Sequence, residues 1–194
     1  MKNSGLHALS VAAHLLAVIE NHDIYKSACY HSLSGMDGFA MVRLDKENKP
    51  AQVNAAAQVF AHLAAVADQS SEMSSVSIDD NPSFRLGGRQ TNALQAAGFY
   101  SRTGTSYVIL NRGTQSAAVS VEAPNAREVS MTVYCAEAVP RSLGWSQLPP
   151  DAASKFPWTG PMKPEVVPAT VSTGNVSCSV SGLSLAVMVI KCSE

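Results

Sequence analysis

Charge is scarce in this sequence. Charged residues make up 15% of the 194 residues, and 14 basic against 15 acidic residues leave a formal net charge of -1. Because the chain has no basic excess and no Lys/Arg run, it offers no electrostatic basis for binding nucleic acid or an anionic membrane. We therefore expect no nucleic-acid partner and no membrane partner.

Motifs of the common catalytic and metal sites are absent as well. The chain has no G-x-S-x-G nucleophile elbow, and its cysteines form no C-x-x-C pair. His7 and His14 would lie about 10 Å apart along a helix, which leaves a metal ion short of ligands. We therefore expect no metal and no cofactor. The following carboxylates fit solvated or capping roles: Glu20, Asp23, Asp37, Asp45, Glu47, Asp79 and Asp80.

The sequence leaves open whether two of its four cysteines form a disulfide. They are Cys29, Cys135, Cys178 and Cys192. Cys178 and Cys192 could lie on neighbouring strands near the end of the chain. There they would form either a disulfide or two buried free thiols.

The first apolar run, LHALSVAAHLLAVI, resembles a signal peptide but lacks its features. Two histidines interrupt it, and no small-x-small cleavage site follows. The run is also too short and too polar to span a membrane. We predict an amphipathic core helix that ends at residues 21–23. Whether a larger parent protein is secreted is left open by this run. The apolar positions recur every three or four residues: Leu6, Leu9, Ala13, Leu16 and Ile19.

The stretch SGMDGFAMVRLDKENKPAQVNAAAQVFAHLA, residues 34–64, predicts a strand that hands over to a helix. Before it, residues 24–33 read as a mostly buried strand. FAMVRL is a short extended piece, and residues 45–49 turn the chain. Pro50 fits the first turn of a helix. The predicted apolar face of that helix comprises Val53, Ala56, Ala57, Phe60, Leu63 and Ala64.

The composition changes near Ser70, where short alternating patterns replace helical ones. ALQAAGFYS and SYVILNR flank the turn RTGT and predict a hairpin, and SAAVSVEA and REVSMTVYCA predict two more strands. Residues 139–168 predict a long loop or an excursion across the sandwich. GNVSCSVSG and LSLAVMVIKC predict a last hairpin. Short strands at this spacing indicate an antiparallel β-sandwich.

These patterns predict an α+β chain in two parts. Residues 1–69 form a helix-strand-helix unit, and residues 70–194 form the sandwich. His31 lies between Tyr30 and Ser32 near the end of the predicted strand. In an α/β barrel that end faces the active site, whereas elsewhere nearby backbone groups would satisfy the histidine.

The order of these elements resembles the end of a clan A glycoside hydrolase, most closely of the α-L-arabinofuranosidase type. HDIYKSACYHSL is similar in register to the last barrel strand, and NKPAQVNAAAQVFAHLA to the last barrel helix, without the aromatic pair that precedes that helix in the family. TSYVILNRGTQSAAVSVEA is similar to a hairpin of the family's C-terminal sandwich, and GLSLAVMVI to its last strand. Related barrel hydrolases that act on xylosides or glucuronides carry similar tails, so the resemblance leaves the exact family open.

The resemblance implies that residues 1–69 are the last elements of a (β/α)8 barrel. The two catalytic glutamates of such enzymes lie on earlier barrel units and have no matching positions here, so no catalytic residue is carried over and the chain alone is expected to be inactive. Tyr30, His31 and Ser32 would edge the sugar site. The implied partners are carbohydrate and the missing N-terminal portion of the barrel.

Two other hypotheses remain open. The first is a non-catalytic β-sandwich module that binds carbohydrate or protein, for which Trp145 and Trp158 are the first candidates, although buried or loop-anchoring tryptophans are more common. The second is an unrelated small enzyme whose site the sequence does not reveal.

Overall fold

The computed structural model describes residues 5–25, 27–29, 34–35, 41–86, 88–136 and 162–193. Two helices and fourteen strands lie within these ranges, which confirms the predicted α+β class. The helices are α1 (Gly5–Glu20) and α2 (Ala55–Asp68). The strands are β1 (Ser34–Gly35), β2 (Val42–Leu44), β3 (Pro50–Val53), β4 (Glu72–Ser75), β5 (Ser83–Leu86), β6 (Arg89–Asn92), β7 (Leu94–Ser101), β8 (Gly104–Asn111), β9 (Ala117–Glu122), β10 (Ala126–Cys135), β11 (Pro164–Val166), β12 (Thr170–Ser172), β13 (Asn175–Val180) and β14 (Ser184–Cys192).

The strands form four sheets. The largest has six strands in the order β11-β10-β14-β8-β7-β4, and all its pairings are antiparallel. A three-stranded sheet has the order β12-β13-β9, and β5 and β6 form a separate hairpin. The small N-terminal sheet β1-β2-β3 combines one parallel and one antiparallel pairing.

The six-stranded sheet is buried on both faces. Along β8, Val108 and Leu110 join one hydrophobic cluster while Ile109 joins another, because successive side chains point to opposite faces. Leu185 and Ala186 divide in the same way on β14. This double burial explains the continuous apolar runs at 107–110 of β8 and 185–190 of β14.

Three layers result. Helices α1 and α2 cover one face of the six-stranded sheet, where Leu16, Val59 and Phe99 are almost completely buried together. Strands β9 and β13 cover the other face, where Val176 and Val180 meet Met188. The two helices therefore bury their apolar sides against the sandwich.

Helix α2 begins later than its sequence predicts. Pro50 lies in β3, paired opposite Leu44, and not in the first turn of the helix. Asn54 is the N-cap, since its side-chain oxygen accepts a hydrogen bond from the backbone N–H of Ala57 at 3.0 Å. Val53 is 50% exposed and belongs to the strand. The buried face of the helix comprises Ala55, Ala56, Val59 and Leu63.

The buried strand predicted for residues 24–33 is wrong where the structure describes it. Residues 24–25 and 27–29 lie in no strand and are exposed, with Ile24 70% and Tyr25 55% accessible. A central strand needs a paired strand on each side, and no strand in the described part of the chain pairs with this segment.

The hairpin predicted around RTGT is confirmed as β7 and β8. The predicted last hairpin is wrong, because β13 pairs with β9 and β12 whereas β14 pairs with β8 and β10. Cys178 and Cys192 therefore lie on strands of different sheets, and all four cysteines are free thiols. Of the predicted long loop, residues 139–161 lie outside the described residues, while β11 forms a short strand within the remainder.

None of the described helices has the length and apolarity needed to cross a membrane.

Candidate functional site

The residues first predicted to contact a ligand lie outside the described part of the chain. This holds for the sugar-site candidates Tyr30, His31 and Ser32. It also holds for the alternative binding candidates Trp145 and Trp158. Their roles stay predictions.

The described residues enclose a polar cleft at the end of α1, beside the start of β7. Its volume is about 450 Å³, within the usual range for ligand sites. Residues 76–78 form one wall, and the apolar part of the lining comes from Val76, Ile78, Leu94 and Ala96. The polar side chains of the cleft, which we call the polar cleft residues, are Glu20, Ser77, Asn81, Asn92, Gln95 and Arg112.

Rigid elements position these side chains. Gln95 lies on β7, paired with Leu110 of β8, and its Nε2 donates to Glu20 Oε2 at 3.4 Å. Arg112 follows β8, and its Nη2 donates to the carbonyl of Asn92 at 2.9 Å. The backbone N–H of Arg112 donates to the carbonyl of Ala93 at 2.8 Å. The guanidinium is thereby held at the wall of the cleft.

Asn81 is committed to structure rather than to a ligand. Its Nδ2 donates to the carbonyl of Leu94 at 2.9 Å, and its Oδ1 accepts from the N–H of Leu94 at 3.0 Å. Both ends of the amide are engaged, so the loop that precedes β5 is tied to the first residue of β7. This pair holds the cleft wall against the sheet.

One donor at the cleft is unsatisfied. Arg112 Nε is buried and has no hydrogen-bond partner among the described residues. A buried N–H without an acceptor costs on the order of 1–3 kcal/mol. Arg112 and Glu20 carry opposite charges and line the same cleft, but they form no ion pair in the described part of the chain.

A second cavity of about 210 Å³ adjoins the cleft and shares residues 76–78, Leu94 and Ala96 with it. It is more apolar, and Tyr107, Ile109 and residues 118–121 of β9 line it. Burial raises the pKa of the Tyr107 phenol, and the neighbouring Tyr100 raises this pKa further through its charge and a hydrogen bond. The phenol therefore stays neutral at ordinary pH and acts here as a packing group.

Two histidines have shifted pKa values outside these cavities. Burial lowers the pKa of His62, whose ring lies 4.3 Å from the ring of Tyr134. Burial and the positive N-terminus lower the pKa of His7. Within the described ranges, no group of three His, Cys, Asp or Glu side chains is placed to hold a metal ion.

Sequence reasoning missed the polar cleft. It treated Glu20 as a helix-end carboxylate and did not consider Gln95 or Arg112. One signal was present, because Gln95 interrupts the apolar run ALQAAGFY at a position that a strand buried on both faces would give to an apolar side chain.

No protein-family model matches the chain, and no curated protein matches it in sequence. Solved structures do match it. The GH51 arabinofuranosidase from Xanthomonas axonopodis pv. citri has a TM-score of 0.71 and 18% identity, with 98% of this chain covered and 36% of that chain. The family 51 α-L-arabinofuranosidase from Bifidobacterium longum has a TM-score of 0.71 and 11% identity, with 97% and 34% covered.

The catalytic domain of GH30 xylanase C from Talaromyces cellulolyticus is also similar, with a TM-score of 0.62, 15% identity and coverage of 98% and 36%. This chain thus spans about a third of the length of these structures. At such identities the likeness concerns the fold alone. The predicted resemblance to clan A glycoside hydrolases is therefore confirmed as a similarity of fold.

Proposed function

We propose that this chain is the C-terminal region of a glycoside hydrolase that acts on plant or microbial polysaccharides of the arabinoside or xyloside type. In this proposal the chain supports a catalytic barrel built mostly by residues outside it. The observation that carries the proposal is the coverage, since 97–98% of this chain matches about a third of the arabinofuranosidase and xylanase chains.

The exposed segment after α1 supports a docking role. Ile24 and Tyr25 are 70% and 55% exposed. Exposed apolar side chains in a segment without strand partners fit a surface that another part of a protein covers. In the proposal, the barrel portion covers Ile24 and Tyr25, and the domain division stays at residues 69 and 70.

The chemistry of the polar cleft supports a non-catalytic role for that site. Glycoside hydrolysis uses two carboxyl groups about 5–9.5 Å apart. Glu20 is the single carboxylate among the described residues that line the polar cleft. We infer that the catalytic pair comes from the missing portion of the barrel, and that Tyr30, His31 and Ser32 edge the sugar site that this portion completes.

The genomic DNA upstream of the first codon tests the proposal. We expect an open reading frame that encodes several βα units with a glutamate after the fourth strand and another on the seventh. A stop codon with no barrel-coding frame nearby would contradict it and would favour the stand-alone module.

Association with the barrel tests the docking surface. The upstream polypeptide, produced separately, is expected to bind this chain, and the double variant Ile24→Asp/Tyr25→Asp should bind at least about tenfold more weakly, since charges replace apolar contact area. Val166→Asp is the matched control, because Val166 is 84% exposed on β11 in the sandwich. Equal binding by both variants would exclude the segment after α1 from the interface.

A further inference from the structure

We propose that the polar cleft binds one monosaccharide unit of an uncharged carbohydrate. The ligand class follows from the lining, the net charge and the donor and acceptor groups of the cleft. The inference goes beyond the proposed function, because it concerns a site formed by this chain's own described residues and does not depend on a catalytic barrel.

The charges of the cleft favour a neutral ligand. Glu20 and Arg112 are the charged side chains of the lining, and their formal charges cancel. An anionic ligand would lie near the Glu20 carboxylate and a cationic ligand near the Arg112 guanidinium, so each would meet repulsion that offsets its attraction. A neutral ligand meets neither penalty.

The hydrogen-bonding groups favour a ligand with several hydroxyls. A carboxylate only accepts, a guanidinium only donates, and an amide does both. Glu20, Gln95 and Arg112 therefore present an acceptor, a mixed group and a donor along one cleft. A hydroxyl donates and accepts at once, so neighbouring hydroxyls on a sugar ring match this series.

The three side chains are only partly satisfied by the protein itself. The Gln95–Glu20 hydrogen bond is long, at 3.4 Å, and Arg112 Nε has no partner among the described residues. A ligand hydroxyl in the cleft therefore has the Glu20 carboxylate and the Gln95 amide as partners at the cost of one long hydrogen bond.

The walls of the cleft are preorganised. Gln95 projects from β7 at a position paired with Leu110 of β8, and the Asn81–Leu94 pair ties the loop before β5 to the start of the same strand. A rigid site loses little conformational entropy on binding. Since the described lining contains no aromatic side chain, we expect weak binding, with a Kd of about 1 mM.

Ligand-observed NMR with the purified chain tests the site. The probes are L-arabinose, D-xylose and xylobiose, with sodium glucuronate as a charged comparator. Two nearly isosteric variants remove one group each: Glu20→Gln removes the charge, and Gln95→Leu removes the amide. Gln115→Leu is the matched control, because Gln115 is exposed and lies outside the cleft. Thermal unfolding confirms that each variant is folded.

The inference predicts that at least one neutral sugar binds, that each cleft variant weakens binding about tenfold, and that Gln115→Leu binds as the unaltered chain does. It is overturned if no sugar binds, if glucuronate binds better than the neutral sugars, or if the cleft variants bind normally. None of these failures bears on the proposed function, which the upstream reading frame tests separately.

Discussion

Asn111 joins the two sheets of the sandwich through the carbonyl of Val180. The Asn111 side chain is fully buried, and its Nδ2 donates to Val180 at 3.1 Å and to the carbonyl of Gln115 at 3.0 Å. Its Oδ1 accepts from the N–H of Gly113 at 2.9 Å. This one residue therefore ties the end of β8 to the end of β13.

Replacing Asn111 with Leu should destabilise the chain by about 3 kcal/mol, because the change leaves several buried backbone groups without partners. Urea unfolding measures the loss in the free energy of unfolding. Gln115→Leu is the control, since only its backbone carbonyl takes part in the network, and we expect a change within about 0.5 kcal/mol. A similar small change for Asn111→Leu would refute the linking role.

Gly104→Ala should destabilise the hairpin between β7 and β8. A Cβ at Gly104 would overlap the carbonyl oxygen of Ile190, which belongs to the backbone of the neighbouring strand and has no free space to move into. We expect a loss of about 3 kcal/mol in the free energy of unfolding.

Gly88→Ala provides the comparison for Gly104→Ala. Gly88 has a φ of +82°, but no atom lies within 4 Å of the position that a Cβ would occupy there. The variant should therefore lose only about 1 kcal/mol, which is the cost of holding alanine in a left-handed backbone conformation. Equal losses at Gly88 and Gly104 would show that the contact with Ile190 carries no cost.

Asn54→Ala should destabilise α2 by about 1–2 kcal/mol, because it removes the oxygen that caps the N–H of Ala57. Asn54→Ser, which retains a capping oxygen, should lose less than half as much. The helical circular dichroism signal during urea unfolding reports both losses. Indistinguishable curves for the two variants would place the effect of Asn54 elsewhere than in its cap.

Protonation of His7 and His62 should make stability fall as pH falls. Since burial holds both pKa values below the ordinary histidine value of 6.5, the unfolded chain binds protons more readily than the folded chain. The contribution of the two neutral histidines to the free energy of unfolding is complete above pH 6.5. It is lost as the pH falls from 6.5 through the lowered pKa values of the folded chain. The urea concentration at the unfolding midpoint should decrease as the pH is lowered from about 7 to about 5. The variant His62→Gln should show a smaller decrease over the same pH range. An unchanged slope in His62→Gln would remove this residue from the account.

The free cysteines predict the reactivity of the chain with thiol reagents. Cys29 is exposed and should react fastest, whereas burial raises the pKa of the half-buried Cys178 and slows its reaction. Mass spectrometry after alkylation without reductant should find four modified cysteines in the unfolded chain. If two cysteines are alkylated only after a reductant is added, the chain contains a disulfide and this prediction is wrong.

The sequence predicted best where local patterns and burial agree. Helix α1 and the hairpin of β7 and β8 were predicted because their apolar periodicity matches how they are buried. Pro50 misled the prediction, since proline is compatible with the first turn of a helix and also with an edge strand. The preference of Asn54 for the cap position was the better signal.

Long-range pairing explains what the sequence could not predict. Residues 175–180 and 184–192 look like a hairpin because only three residues separate the two β patterns, but their partners β9 and β10 lie far away in sequence. The polar cleft was not predicted because its residues are also far apart in sequence. Glu20, Gln95 and Arg112 line one cleft only after α1 packs against the sheet.

Hydrolysis of aryl α-L-arabinofuranoside and aryl β-xyloside by the purified 194-residue chain tests the central claim most directly. The account predicts a β-rich circular dichroism spectrum and no turnover, because the proposed function assigns the catalytic carboxylates to a barrel portion outside these 194 residues. Turnover that survives repurification would contradict it and would mean that a catalytic pair exists within this chain.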